Sequence, residues 1–389
     1  MIPYTDFLYF GISLYALLPS AVLRILRRFW RTWLVIGTLF MLGVQYLSLT
    51  GNTAWPLNGF TLILGYALTQ WLVAAAFLAL RKRFLNRWAF YVALLLGLLP
   101  LLAAKYAAMR GIEYPLVFIG LSYITFRSLD VLIGIQDKVI TGLDPVRYLT
   151  FLLFFPAVSS GPIDRYRRFS DDWTQTRGVA EVLQDLDLGI HRIFTGFLYK
   201  FILAALIKQY WMDPVAQAGG MLPLASYMYA YTFYLFFDFA GYSAFAVGFS
   251  YILGIHTPEN FDRPFISRDI REFWNRWHMS LSFWFRDHIY NRFLFAALKG
   301  KWFHSSQVAS SVGYLLTMGL MGVWHGTTLN YLVYGLYHGV LLAGTSAFDR
   351  THKNNRLLND PRWPWRLASI VLTFHLIALG LLIFSGRLF

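Results

Sequence analysis

Two of the nine histidines stand where an imidazole could move a proton. His325 lies in Gly322-Val323-Trp324-His325-Gly326-Thr327-Thr328, at the junction of two apolar stretches. A neutral imidazole there can take a proton from a hydroxyl. The flanking glycines would let other groups come close. The competing reading is a hydrogen-bonded structural histidine. His278 lies in Glu272-Phe273-Trp274-Asn275-Arg276-Trp277-His278-Met279-Ser280, a run dense in aromatic and hydrogen-bonding side chains. Such a run could line a tunnel for a polar ligand, with Asn275 and Trp277 as helpers, or it could be an interfacial aromatic belt. Charged residues inside apolar segments are costly and are candidates for function by default. Arg127 and Asp130 are three apart and are expected to pair on one helix. Asp238 is expected to be buried beside an arginine or a backbone donor.

The remaining chemistry is limited by what the chain lacks. It has no cysteine, so a thiolate nucleophile, a thiolate metal site and a disulfide are all excluded. His338 follows His325 by thirteen positions, roughly 220° around a helix, which is wrong for a metal pair. With no His-Glu-x-x-His run and no carboxylate triad, no metal site is expected. A Gly-x-Ser-x-Gly elbow, a phosphate-binding Gly-rich loop and a dinucleotide fingerprint are also missing. A group transferred by this chain must therefore arrive already activated. His191, His256, His288, His304, His352 and His375 read as loop or helix-end residues without a role.

These residues must be positioned by membrane helices. Apolar residues make up 57% of the 389, and charged residues only 14%. Mean hydropathy is +0.48. A soluble chain could not hide so much apolar surface, so secreted, disordered and ordinary cytosolic proteins are excluded. Spans need about 20 mostly apolar residues. Ten segments meet this loosely: 8–23, 32–49, 57–80, 88–104, 116–135, 190–207, 222–254, 308–324, 330–347 and 367–384. Basic residues follow the first, third and fifth, while Gly51–Pro56 and Tyr210–Met221 contain none. Because Lys and Arg collect in cytoplasmic loops, both termini are placed outside. Met1–Phe7 carries no basic residue, so the first segment is expected to be retained rather than cleaved. The net charge of +14 then reads first as topology and second as a dock for an acidic partner. Nucleic acid is a poor third reading.

Three stretches depart from simple crossings. Tyr148–Ile163 has Pro and Gly pairs that would break a helix, and it leads into the basic run Asp164–Arg168. It is expected to be re-entrant, which is tolerated where protein covers the backbone. Met279–Leu298 carries Arg286, Asp287, His288 and Arg292 and is expected to lie partly buried inside the bundle. Leu222–Gly254 would be roughly 50 Å long as one helix, so a tilted or broken helix is expected. The expected fold is all-α and polytopic, with about ten spans in a single membrane domain covering 1–389.

The motifs combine into a resemblance. Ser159-Ser160-Gly161-Pro162-Ile163-Asp164-Arg165, Phe236-Phe237-Asp238-Phe239-Ala240-Gly241-Tyr242-Ser243, Asn260–Asp269, Glu272–Asp287 and Trp324-His325-Gly326 occur in an order that resembles the membrane-bound O-acyltransferase family. Within it, they resemble the type that transfers D-alanyl groups for teichoic acid D-alanylation. The resemblance implies a ring of membrane helices around a central tunnel in a bacterial cytoplasmic membrane. His325 would match the family's essential histidine and His278 its second. The donor would be a D-alanyl thioester on the phosphopantetheine arm of a small carrier protein, with no other cofactor. Accessory membrane proteins of the same pathway would be further partners. The acceptor would be teichoic acid or a similar envelope polymer.

Candidate site residues follow. His325 and His278 are catalytic. Asn275, Trp277, Trp324, Ser160, Gly161 and Pro162 are substrate-binding. Arg268 and Arg271, in the Arg-rich loops, would dock an acidic carrier. Two alternatives stay open: an O-acetyltransferase of an exported polysaccharide such as alginate, and a transporter that moves a substrate without acyl chemistry.

Overall fold

The computed structural model describes residues 1–46, 59–83, 87–114, 117–351 and 363–389. The basic-free loop Gly51–Pro56 and His352 lie outside the described residues, as do the ends of three expected spans at 47–49, 57–58 and 116. The described chain is helical, with one isolated β-bridge between Phe261 and Trp277. In order, the helices are α1 (Phe7–Ile25), α2 (Trp30–Tyr46), α3 (Gly59–Arg83), α4 (Arg87–Arg110), α5 (Leu121–Gln136), α6 (Pro145–Leu153), α7 (Tyr166–Thr174) and α8 (Val179–Phe197). Helix α8 continues through π-helical turns into the short α9 (Ala205–Ile207) and α10 (Asp213–Ala216). Then come α11 (Met221–Leu253), α12 (Ile270–Trp274), α13 (Met279–Phe285), α14 (Asn291–Lys299), α15 (Ser306–His325), α16 (Leu329–Thr351) and α17 (Trp363–Phe384).

All ten expected spans fall on helices. Six stretches are both long and apolar enough to cross a membrane: α1, α3, α4, α8 through α10, α11 and α17. Helices α2 and α5 are short, at 17 and 16 residues. Helices α15 and α16 are long enough, but Ser, Thr, His, Asn and Gly dilute their apolar content. Helix α11 is a single 33-residue helix without a break. The span expected at 190–207 begins eleven residues earlier, because the polar turn at 179–189 is helical as well.

Two compact units divide the chain. The first comprises residues 1–197 and 241–258, the second 198–240 and 259–389. The core of the first unit is α5, with 13 of its 16 residues buried. A helix buried all round is what a polytopic interior requires. Its polar groups are matched inside the unit: Ser128 donates to Gln70 Oε1 at 2.6 Å, and Gln70 Nε2 donates to Gly97 O at 3.0 Å.

Arg127, also on α5, does not pair with Asp130. Its guanidinium donates to the carbonyls of Phe151 at 3.1 Å, Leu152 at 3.3 Å and Ala157 at 2.9 Å. These carbonyls belong to the end of α6 and to the buried irregular stretch that follows it, where the helix breaks at Phe154. Asp130 instead accepts from Arg165 at 2.6 Å. The i, i+3 pairing rule failed because four carbonyls, Pro162 O among them, compete for one guanidinium. Each would be costly to bury unmet.

In the second unit, α15 and α16 form a close antiparallel pair. A Cβ added at Gly322 would lie 2.3 Å from Tyr331 O, and one at Gly335 would lie 2.3 Å from Met318 O. Only hydrogen at these two positions permits the approach. The carboxylate of α11, Asp238, is not buried as expected: it takes Lys200 as its partner at 2.5 Å rather than an arginine, and its side chain remains about a third exposed. Of the charged stretch 279–298, α13 buries Ser280, Leu281, Trp284 and Phe285, whereas α14 buries only Ala297.

Replacing Arg127 by Met keeps the volume and removes five donors. Four buried carbonyls then lose a charged partner, at a cost on the order of 3 kcal/mol. Thermal unfolding in detergent should show a clearly lowered transition, and more so than for Arg165→Ala. An unchanged transition would mean that the irregular stretch does not depend on this side chain.

Candidate functional site

The second unit contains both candidate histidines. Helix α12 starts where the Asp269 side chain accepts from Glu272 N at 2.8 Å, while Glu272 reaches back to Arg268 N at 2.8 Å. This reciprocal capping pattern fixes the helix start. After one and a half turns the chain leaves α12, and His278 adopts a left-handed conformation, φ 44 and ψ 48, at the start of α13. A non-glycine residue held there is strained and must be over-determined by its surroundings. Asn260 supplies much of this. Its backbone oxygen accepts from Met279 N at 2.9 Å, and its side-chain oxygen accepts from Ser280 Oγ at 2.6 Å. Asn260 is fully buried. Asp262 N also donates to Arg276 O at 3.0 Å. The residues before and after α12 are thus stitched together around His278.

The His278 ring is buried, and its Nδ1 has no hydrogen-bond partner. It lies edge-on to Phe239, 4.7 Å between centroids, and 6.5 Å from Trp324. His278 stands outside the membrane-spanning helices. Burial, followed by the charge of His325, pushes its pKa down to about 3. It is therefore neutral across the physiological range.

His325 closes α15 and is partly exposed. Its ring touches Trp324 at 4.6 Å, the edge of Phe384 at 5.1 Å and Tyr334 at 6.1 Å. Trp324 therefore sits between the two histidines. Tyr334 continues the cluster to His338, 4.7 Å away, and His338 meets Trp274 at 5.2 Å. Tyr334, Phe384 and Trp274 carried no signal of their own in the sequence, which is rich in aromatics throughout.

A cavity of about 220 Å³ opens beside this cluster. Arg271, Asn275 and Arg286 line it together with Trp274, and it reaches Thr317, Met318 and Met321 on α15. Met321 and His325 are four apart on α15, one helical turn. Trp274 Nε1 is buried without a hydrogen-bond partner.

The other expected site residues are placed as follows. Asn275 lines the cavity. Trp277 does not: it is buried against Phe236, Phe261, Phe265 and Phe273 and acts as core. Arg271 lines the cavity and pairs with Asp349. Arg268 is exposed and pairs with Glu272 at 3.3 Å. Ser160, Gly161 and Pro162 belong to the irregular stretch of the first unit. There Pro162 O accepts from Arg127 at 3.5 Å, and a Cβ at Gly161 would fall 2.4 Å from Ala157 Cα.

The family model of the membrane-bound O-acyltransferases matches residues 86–385. The chain belongs to this family. It is a multi-pass membrane acyltransferase. The teichoic acid D-alanyltransferase of Bacillus subtilis strain 168 is 40% identical over all of this chain and 99% of its own length. The protein of the same name from Streptococcus thermophilus is 39% identical, over 98% of this chain and 94% of its own. A probable alginate O-acetylase from Pseudomonas aeruginosa strain PAO1 is 33% identical, but over 69% of this chain and 49% of its own.

A histidine whose pKa is depressed to about 3 is already neutral at pH 5 and gains no proton until far below it. His278 therefore contributes nothing to any loss of acyl transfer as pH falls from 8 to 5. With saturating substrates, the logarithm of the rate should fall with a limiting slope of one. A slope of two would show that a second imidazole titrates in this range.

Proposed function

We propose that this protein transfers D-alanine from the phosphopantetheine thioester of a small carrier protein to a hydroxyl of teichoic acid or a similar envelope polymer. The observation that carries the reading is the full-length similarity to the two teichoic acid D-alanyltransferases. The alginate-type relative shares a shorter part of the chain and of its own length. Polysaccharide O-acetylation is accordingly the second reading, and transport alone has no supporting observation.

In this reading the carrier docks on the exposed arginines around α12, on the cytoplasmic side of a bacterial membrane. Arg271 pairs with the exposed Asp349, and Arg268, itself exposed, pairs with the part-buried Glu272. Pairs of that kind contribute little and can be exchanged for carboxylates of an acidic carrier. The arm enters the cavity past Arg271 and Asn275. The thioester carbon then lies near the histidine cluster, one turn beyond Met321. His325 takes the proton of the acceptor hydroxyl as its oxygen attacks this carbon. The neutral imidazole of His278 donates to the developing oxyanion. When the tetrahedral intermediate collapses, the new C–O ester bond stays, the C–S bond breaks, and the thiolate leaves to recover a proton. In this reading the start of α15 lies on the cytoplasmic side and His325 at its outer end. The acceptor can thus approach from outside, whether directly or through an accessory membrane protein, in one membrane domain built from both units.

Carrier protein loaded with radiolabelled D-alanine, supplied to membranes, tests the reading. His325→Ala should reduce label transfer by about 10²–10⁴-fold with the protein still folded. Normal transfer would remove His325 as the base. No transfer by wild type, with the rest of the pathway present and acetyl transfer detected instead, would favour the second reading. Arg271→Glu should weaken carrier binding, and more at low than at high salt. Unchanged affinity would place the dock elsewhere.

A further inference from the structure

The first unit holds a second cavity, of about 340 Å³, that the transfer chemistry does not use. It lies under the turn joining α1 to α2. Its wall carries four guanidiniums, Arg24, Arg27, Arg31 and Arg177, and no acidic residue. Three of the four are held rigidly. Arg24 donates to Tyr251 O at 2.7 Å and pairs with Asp185. Arg177 donates to Gly254 O at 2.8 Å and to Asp172 at 2.5 Å. Arg31 donates to Thr174 O at 3.1 Å and lies over the Trp30 ring at 4.9 Å. Gly254 forms part of the wall with φ +89, and a Cβ there would lie 2.9 Å from Arg24 Nε. Glycine is thus needed both for the backbone conformation and for the approach of the guanidinium.

Arg27 is different. It is exposed, in a left-handed conformation at φ 56, and among the described residues its side chain has no hydrogen-bond or ion-pair partner. The carboxylates that neutralise the group are Asp185 and Asp172, and Asp172 is shared with Arg168. Four positive charges thus face at most two negative ones, and none of the negative ones lines the cavity.

The cavity also continues an apolar surface. Helix α1 is a candidate span, and Tyr15, Leu18, Val22 and Leu26 are exposed along it, with Phe29 just beyond its end at 76% exposure. Their spacing of three or four residues makes one stripe that runs down to the guanidiniums. The geometry points to a binding site for an anionic diacyl phospholipid, its phosphate among the four arginines and its acyl chains along the α1 stripe. A free phosphate shares the headgroup chemistry but would not use the stripe. A zwitterionic headgroup would find no carboxylate for its ammonium. Basic pockets at the ends of membrane helices are suited to such headgroups. The site is independent of the acyl-transfer reading.

Delipidated protein in detergent can be titrated with dioctanoyl-phosphatidylglycerol, dioctanoyl-phosphatidylcholine or inorganic phosphate, with bound lipid counted by native mass spectrometry. Phosphatidylglycerol should bind at least tenfold more tightly than phosphatidylcholine, and millimolar phosphate should not displace it. Arg27→Glu should weaken phosphatidylglycerol binding about thirtyfold and Arg27→Gln about fivefold. Arg263→Glu, an exposed reversal in the other unit, should leave it unchanged. Equal binding of the two lipids, or wild-type affinity in both Arg27 variants, would overturn the site. Displacement by phosphate would reassign it to a free anion. Should Arg27→Glu not fold, Arg27→Gln and the comparison of lipids on wild type decide.

Discussion

A helix that breaks in a buried interior exposes backbone groups that have no water to turn to. Arg127 answers that demand in the first unit by collecting four carbonyls from the end of α6 and the stretch after it. Asn260 answers it in the second, binding the backbone and side chain of the residues that follow His278. Both are fully buried polar side chains. Both stand beside a stretch that could not be helical, and both make that stretch rigid. The irregular segments are where a membrane protein can hold a strained residue such as His278. Each unit thus has one buried side chain that holds its irregular stretch.

A rigid second unit explains how ordinary side chains can do demanding chemistry. His278 is kept neutral by burial and by its neighbour, so it can act only as a hydrogen-bonding group. His325 stands at a helix end and is partly exposed. The glycines of α15 and α16 bring Tyr334 and the rest of α16 against this helix end. Acyl transfer from a thioester asks for a base, an oxyanion donor and a narrow path for the donor arm. All three have a candidate within one unit.

Much of this was legible in the residues. The hydropathy pattern marks the ten helices, and the Trp-His-Gly and Asn-x-x-His runs mark the two histidines. The pairings were not legible. Arg127 and Asp130 satisfy a local rule, yet each has a partner more than twenty positions away. Such partners follow from which backbone groups are orphaned after folding. Trp277 and Trp274 look alike in sequence, but one fills an aromatic core and the other lines the cavity. A three-residue difference on a short helix and the loop after it decides this, and periodicity is too coarse to read there. The early start of α8 is not marked by hydropathy, because residues 179–189 include Glu181, Asp185 and Asp187; Asp185 is nonetheless inside. It is buried because Arg24, Arg177 and His256 surround it.

The central claim is that one protein takes an acyl group at its cytoplasmic face and delivers it to a hydroxyl on the other side. Proteoliposomes with uniform orientation test this most directly, with the pathway's accessory membrane proteins reconstituted alongside. Carrier loaded with labelled D-alanine is added only on the side of Arg271, and the polymer acceptor is trapped only on the side of His325. The account predicts labelled ester on the trapped acceptor and unloaded carrier on the opposite side. Transfer that occurs only when carrier and acceptor share one side would contradict it.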